Sequence, residues 1–198
     1  MDESDVPLGG KIRESGMPPE DVWSSFFDVG EILNRMHIDS KVVDAADFAC
    51  GYGTFTIPAA QRITGIMYAV DIDPKMTQTV ASRAHGLGLV NVRAMVSDLL
   101  REGSGLEDES VDYVMLFNIL HSEQPQILLR EAFRVLRRGG LIGIIHWIRD
   151  PRTPRGPPLD MRPTAEQSRE WCLQSGFDAG SSVSIDLKPD HFGLAVRK

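Results

Sequence analysis

Residues 47–56, DFACGYGTFT, set an acid before a small-residue turn that carries Gly51 and Gly53 and leads into a helix start. Two missing Cβ atoms let a ligand approach backbone amides, and the N–H groups of the following helix start face any anion placed there. Eighteen residues after Gly53 an apolar run ends in Asp71, the spacing at which an acid accepts hydrogen bonds from two ribose hydroxyls. Loop and acid together read as a site for a nucleoside-containing cofactor. A dinucleotide loop, G-x-G-x-x-G, would need a small residue at position 56, where this chain has Thr56. The spacing Ala49-x-Gly51-x-Gly53 belongs to a different loop.

Such a site needs strands to carry it. Apolar runs at 44–49, 66–71, 91–96, 111–118 and 141–147 read as strands, several apolar throughout, as strands covered on both faces are. Helical patterns occupy 54–63, 74–86 and 124–138, with Pro74 in a first turn and RRGG at 137–140 as basic last turn and glycine cap. The alternation predicts right-handed βαβ crossovers. A helix over 164–175, stopped at Gly176, precedes two strand-like runs joined by KPD, which predict an antiparallel hairpin on the sheet edge. The expected fold is α/β: Rossmann-like, doubly wound, a mostly parallel seven-stranded sheet with an antiparallel C-terminal strand. Residues 18–36 carry Trp23, Phe26, Phe27, Leu33 and Met36 at near-helical spacing, either an amphipathic helix packed on the sheet or a lid over a pocket. The division expected is 1–38 as N-terminal extension and cap helix, and 39–198 as the binding domain.

Composition sets the outer bounds. With 198 residues, 42% hydrophobic and 25% charged, the chain suits one globular domain. A net charge of −7 argues against nucleic acid as a general partner. The acidic, Pro- and Gly-broken beginning lacks the apolar core of a secretion signal, no apolar run reaches membrane-spanning length, and the two cysteines are Cys50 and Cys172. The expectation is a reduced cytoplasmic protein away from membranes, monomer or homodimer.

The sequence resembles the class I S-adenosylmethionine-dependent methyltransferases from about residue 40 to the end. DFACGYGTFT is similar to their first motif, D/E-x-G-x-G-x-G, with Asp47, Ala49, Gly51 and Gly53 in register. AVDIDPKM resembles the second, and VSDLL the segment after the third strand. FNILHSE followed by LREAFRVLRRGGLIGI resembles the fourth-strand signature of small-molecule members. The resemblance implies S-adenosyl-L-methionine as cofactor, with Asp71 on the ribose, Ile72 beside the adenine, Asp98 on the adenine amino group and Leu99 over a ring face. It brings Cys50, Tyr52 and Asn118 into the cofactor set as well. Ala49 departs from the usual glycine. If that position needs a positive φ, alanine costs about 1 kcal/mol there.

Methyl transfer from a sulfonium is an in-line displacement, for which the protein supplies alignment and, for a protonated acceptor, a base. In this topology His121 and His146 follow adjacent strands and could face the methyl group, each either as base or as a histidine orienting a loop. A metal on His121, His146 and Asp150 has no recognised ligand spacing behind it, and none is expected. Residues 147–163 bring Arg149, Arg152, Arg155 and Arg162 among five prolines. They read as a solvated loop or as a stiffened wall binding an anionic substrate through Arg149, Arg152 and Arg155. The reading is methyl transfer to a small-molecule acceptor. Its rivals are a methyltransferase acting on RNA or protein and a non-catalytic methyltransferase-like binding subunit.

Overall fold

The computed structural model describes residues 17–122, 124–187 and 189–198; the expected extension at 1–16 lies outside the described residues. In chain order the elements are α1 (Glu20–Ser24), α2 (Val29–Arg35), β1 (Ala45–Phe48), α3 (Thr56–Ala60), β2 (Met67–Asp71), α4 (Pro74–Gly86), β3 (Val92–Val96), β4 (Val111–Phe117), α5 (Pro125–Val135), β5 (Leu136–Trp147), α6 (Ala165–Gln174), β6 (Asp178–Leu187) and β7 (His191–Arg197), with a 3-10 turn at Leu159–Met161. The seven-stranded sheet runs β3-β2-β1-β4-β5-β7-β6. β1 pairs in parallel with β2 and β4, and β7 lies antiparallel between β5 and β6.

Helices on both faces bury the sheet. One apolar layer gathers Leu33, Met36, Ile38, Met67, Met115 and Ile145; the other gathers Phe48, Val114, Leu128, Leu129, Ile144 and Phe177. The starts of α4 and α6 follow from their residues. Asp73 accepts from the Lys75 amide ahead of Pro74, and Thr164 and Gln167 form a reciprocal capping box. Strand order reverses between β1 and β4, so their carboxyl ends open a crevice into which the loops after β1, β2, β3, β4 and β5 all point.

Three expected elements differ. The helix expected over 18–36 breaks at 25–28, where the Asp28 side chain accepts from the Glu31 amide and caps α2 separately. The helix expected over 54–63 shrinks to α3, one turn around Pro58. RRGG does not end α5. Leu136 is already extended at φ −69 and ψ 135, and β5 starts there with an irregular register between Val111 and Tyr113 of β4. Arg137 explains the switch: its guanidinium donates to Asp112 and Asp44 at 2.9 Å each, lacing β5 to β4 and to the residue before β1.

Tyr113 of β4 fixes α2 on the sheet. Its buried hydroxyl donates to the Met36 carbonyl at 2.8 Å, and a Cβ on Gly143 of β5 would lie 2.0 Å from that hydroxyl. Tyr113→Phe should cost about 1–2 kcal/mol by leaving the carbonyl unpaired. Gly143→Ala should cost more, up to about 3 kcal/mol or beyond, by displacing the ring. Urea midpoints check the order, and equal stability of Gly143→Ala and the parent would refute it.

Candidate active site

The loop after β1 is built from left-handed residues. Ala49 has φ 61, Gly51 φ 51 and Gly53 φ 79, so the alanine sits where its Cβ costs about 1 kcal/mol. The Asp71 carboxylate clasps this loop: one oxygen accepts from the Gly51 amide and the other from the Asp73 amide, both at 2.9 Å. Burial raises the Asp71 pKa against these bonds. Asp47, at the end of β1, accepts from the Thr56 hydroxyl at 2.6 Å, and burial lifts its carboxyl to about 7.

A cavity of about 600 Å³ lies over these residues. Of the expected cofactor residues, Asp47, Ala49, Cys50, Asp71, Ile72, Asp98, Leu99 and Asn118 line it. Gly51 and Gly53 shape its loop from behind. Cys50 is buried and its thiol is pushed far up by burial, so it presents a small inert surface. Tyr52 turns elsewhere. Its hydroxyl donates to the Pro18 carbonyl at 3.2 Å, and its own carbonyl accepts from Arg83, which pairs with Glu20. Tyr52 therefore ties down the segment leading into α1.

That segment forms one wall of the pocket. Met17, Pro18, Trp23 and Phe26 line the cavity from one side, and Arg155, Gly156, Pro157, Pro158 and Met161 from another. Phe26 meets Trp147 edge to face at 5.3 Å, and Phe55 meets Phe117 at 5.0 Å. Among the lining residues that motif reading missed are Thr54, Phe117 and Trp147, while Phe55, which the sequence leaves open as a contact or a packing residue, lines the cavity as well.

A nucleoside cofactor fits this lining by its chemistry. Asp71 and Asp98 offer carboxylates to hydroxyl and amino donors, with apolar Ile72 and Leu99 beside them for a base ring. Thr54 Oγ1 and both polar side-chain atoms of Asn118 are buried without a hydrogen-bond partner among the described residues. Asn118 also holds a strained φ of 59, the kind of cost found at ligand sites.

The two histidines split in position. His121 lines the cavity; His146 is fully buried behind it and does not. Their rings meet with His121 Nδ1 3.3 Å from His146 Nε2, and His146 Nδ1 lies 3.3 Å from the Trp147 carbonyl oxygen. Burial lowers the pKa of both, that of His146 to about 3. Among the described residues no group of three His, Cys, Asp or Glu could hold a metal ion.

The arginine wall is corrected in two of its three members. Arg149 donates to the Arg162 carbonyl, and Arg152, itself exposed, is spent on Asp150; Arg155 alone of the three lines the cavity. The ordered residue of this loop is Arg162. Buried, it donates to Pro157 O at 2.8 Å, Ile148 O at 2.9 Å, Arg155 O at 3.0 Å and Thr153 Oγ1 at 2.5 Å. Gly156, at φ 117, lies against the Trp147 indole and Arg162. A solvated Arg–Asp pair and a stapled wall thus coexist in one loop.

The buried titratable groups set an acid limb of stability. His146 and His191 drop from 6.5 to about 3, so between those pH values the unfolded chain holds two more protons. Asp47 rises from 3.8 to about 7, so there the folded chain holds one more. Two minus one leaves stability rising with pH from about 4 to 6.5, a trend that His121 reinforces and the raised Asp71 opposes. Above 6.5 the histidines no longer contribute, and Asp47 makes stability dip slightly. Asp47→Asn should therefore gain on the parent between pH 5 and 8 in denaturation of the cofactor-free protein; a gap independent of pH would contradict the buried acid.

A family model described as a methyltransferase domain matches residues 45–140. No curated protein matches the sequence. Among solved structures, a SAM dependent methyltransferase from Aquifex aeolicus superposes with TM-score 0.77 at 21% identity, over 90% of this chain and 93% of that one. The [4+2]-cyclase SpnF gives 0.71 at 16%, over 93% and 85%. Phosphoethanolamine N-methyltransferase 2 of Haemonchus contortus, in complex with S-adenosyl-L-methionine, gives 0.70 at 17%, over 86% of this chain and 52% of that one. The solved structures carry the fold, and among the described residues no helix is long and apolar enough to cross a membrane. The family segment spans the left-handed loop, the Asp71 clasp, Asp98 and His121, so the stretch that builds this side of the cavity is similar to a methyltransferase domain, and the chain shares the fold of S-adenosylmethionine-dependent methyltransferases.

Proposed function

We propose that the protein methylates a small, largely apolar acceptor held beneath Trp23, Phe26, Trp147 and Met161, with His121 accepting the proton of the reacting atom. The observation that carries this reading is the aromatic wall along the same cavity that presents the expected cofactor residues. A cavity of about 600 Å³ falls within the range of small-molecule sites. Among the described residues Arg155 is the one cation lining it, which suits a single anionic or polar group on the acceptor and not a nucleic-acid strand.

When bound, the cofactor supplies a methyl group on a positively charged sulfur. Asp71, Asp98, Ile72 and Leu99 would hold its nucleoside. Asp47 and Asn118 would face its amino-acid end, where a cation lowers the cost of ionising Asp47. The aromatic wall excludes water and restricts the acceptor's approach, and such alignment accounts for much of the barrier reduction in a displacement. His121 would take the proton that the acceptor's reacting atom gives up on methylation. His121 is neutral at physiological pH because burial lowers its pKa, so it enters as a base.

Methyl-labelled cofactor incubated with the protein and a metabolite extract should label a compound of low molecular mass; label confined to protein or RNA would overturn the reading. With that acceptor, His121→Asn should lower kcat/KM by roughly 100- to 10,000-fold and leave cofactor affinity in place, and the parent's acid limb should lie below pH 6.5. Arg155→Gln should raise KM for an acceptor with an anionic group about tenfold, whereas Arg152→Gln, lost to a solvent-exposed pair, should change nothing. Unchanged kinetics in His121→Asn would make His121 a wall residue only.

A further inference from the structure

The histidine behind the pocket has a task that its burial defines. His146 sits on β5 beneath His121, facing His121, His191 and Arg162, with the Phe192 ring 6.5 Å away. The groups acting on its charge are thus two other imidazoles and a guanidinium, so His146 stays neutral and carries one N–H. Its Nδ1 lies 3.3 Å from the Trp147 carbonyl oxygen, which can only accept. The proton therefore belongs on Nδ1, since a bare Nδ1 would set two lone pairs against each other in a buried place. That leaves His146 Nε2 as an acceptor, 3.3 Å from His121 Nδ1. The contact is a hydrogen bond only when His121 Nδ1 holds the hydrogen, and the bare nitrogen of His121 is then Nε2.

We propose that His146 is a positioning residue that locks His121 in its Nδ1–H tautomer, so that Nε2 is the nitrogen left to take a proton from the acceptor. The inference rests on the base role of His121. The chain runs from the Trp147 carbonyl through His146 to His121, and each link fixes the next. Histidine free in water favours the opposite tautomer, with hydrogen on Nε2, so the lock has a measurable signature. The buried carbonyl and imidazole take the place that a carboxylate holds where a base is oriented by an ionised partner. A neutral orienting group stabilises an imidazolium less, and it suits a reaction that begins with a cation already in the pocket.

The test is the nitrogen spectrum of the full chain labelled with 15N-histidine, recorded without cofactor at pH 7.5, where long-range couplings assign the protonated nitrogen of each ring. His121 is expected as Nδ1–H in the parent and in His146→Gln, whose amide oxygen can still accept from it. In His146→Leu, His121 should shift toward Nε2–H, and kcat for the acceptor should fall while its KM and the cofactor's affinity hold. An Nε2–H signal for His121 in the parent overturns the proposal without any variant, which covers the case in which His146→Leu fails to fold. An unchanged His121 tautomer in folded His146→Leu overturns it as well. The underlying base reading fails separately: a parent with Nδ1–H and a fully active His121→Asn would leave the lock in place and remove its catalytic purpose.

Discussion

The clasp of Asp71 on the Gly51 amide is the contact on which the site depends. It joins the end of β2 to the left-handed loop after β1, and its second oxygen takes the Asp73 amide at the start of α4. The adjacent link is made by the Cys50 amide, which donates to the Val70 carbonyl at 3.1 Å. Two strands, a loop and a helix start are thereby fixed by one carboxylate. A buried acid whose pKa is raised is a cost to folding, and the strain at Ala49 adds to it. Both are placed where a nucleoside with hydroxyl donors recovers them, since a carboxylate has lone pairs left after two amide bonds.

Above that base the pocket is walled by segments far apart in sequence. The Glu20–Arg83 pair and the Tyr52 hydroxyl hold the chain before α1 against the glycine loop. A Cβ on Gly51 would fall 2.7 Å from Met17 Sδ, so the glycine serves the strap as well as the ligand. On the other side Arg162 collects three carbonyls and a threonine hydroxyl and turns a proline-rich loop into a wall. The fold alone would not define the reaction, as the likeness to a [4+2]-cyclase shows. In the proposed reading the acceptor's chemistry rests on the wall and on His121.

The sheet and the residues that line the cavity beside β1 and β2 were legible because each is encoded locally. Strands buried on both faces are apolar runs, and the loop, Asp71 and Asp98 each lie a fixed step beyond a strand. The positive φ of Ala49, left open in the sequence, follows from the same register. The acceptor half is encoded in contacts across the chain, and there sequence reading fell short. Four arginines in one loop look alike, yet Arg152 meets Asp150 two residues away, Arg162 is buried under the loop and Arg155 faces the cavity. His121 and His146 stand at equivalent strand ends, but β5 carries His146 into the core, beside antiparallel β7, where it pairs with Phe192. RRGG read as a helix end because its partners, Asp44 and Asp112, are distant in sequence.

The most direct test of the clasp is a calorimetric titration of S-adenosylhomocysteine into the parent and into Asp71→Asn, with circular dichroism to show both folded. Asparagine keeps the size but replaces one accepting oxygen by a donor, so it loses either the loop clasp or the ribose contact. An affinity at least tenfold weaker in Asp71→Asn is expected, the loss of a charge-assisted hydrogen bond of about 1.5–3 kcal/mol. Equal affinities in a folded Asp71→Asn would contradict the central place given to this carboxylate.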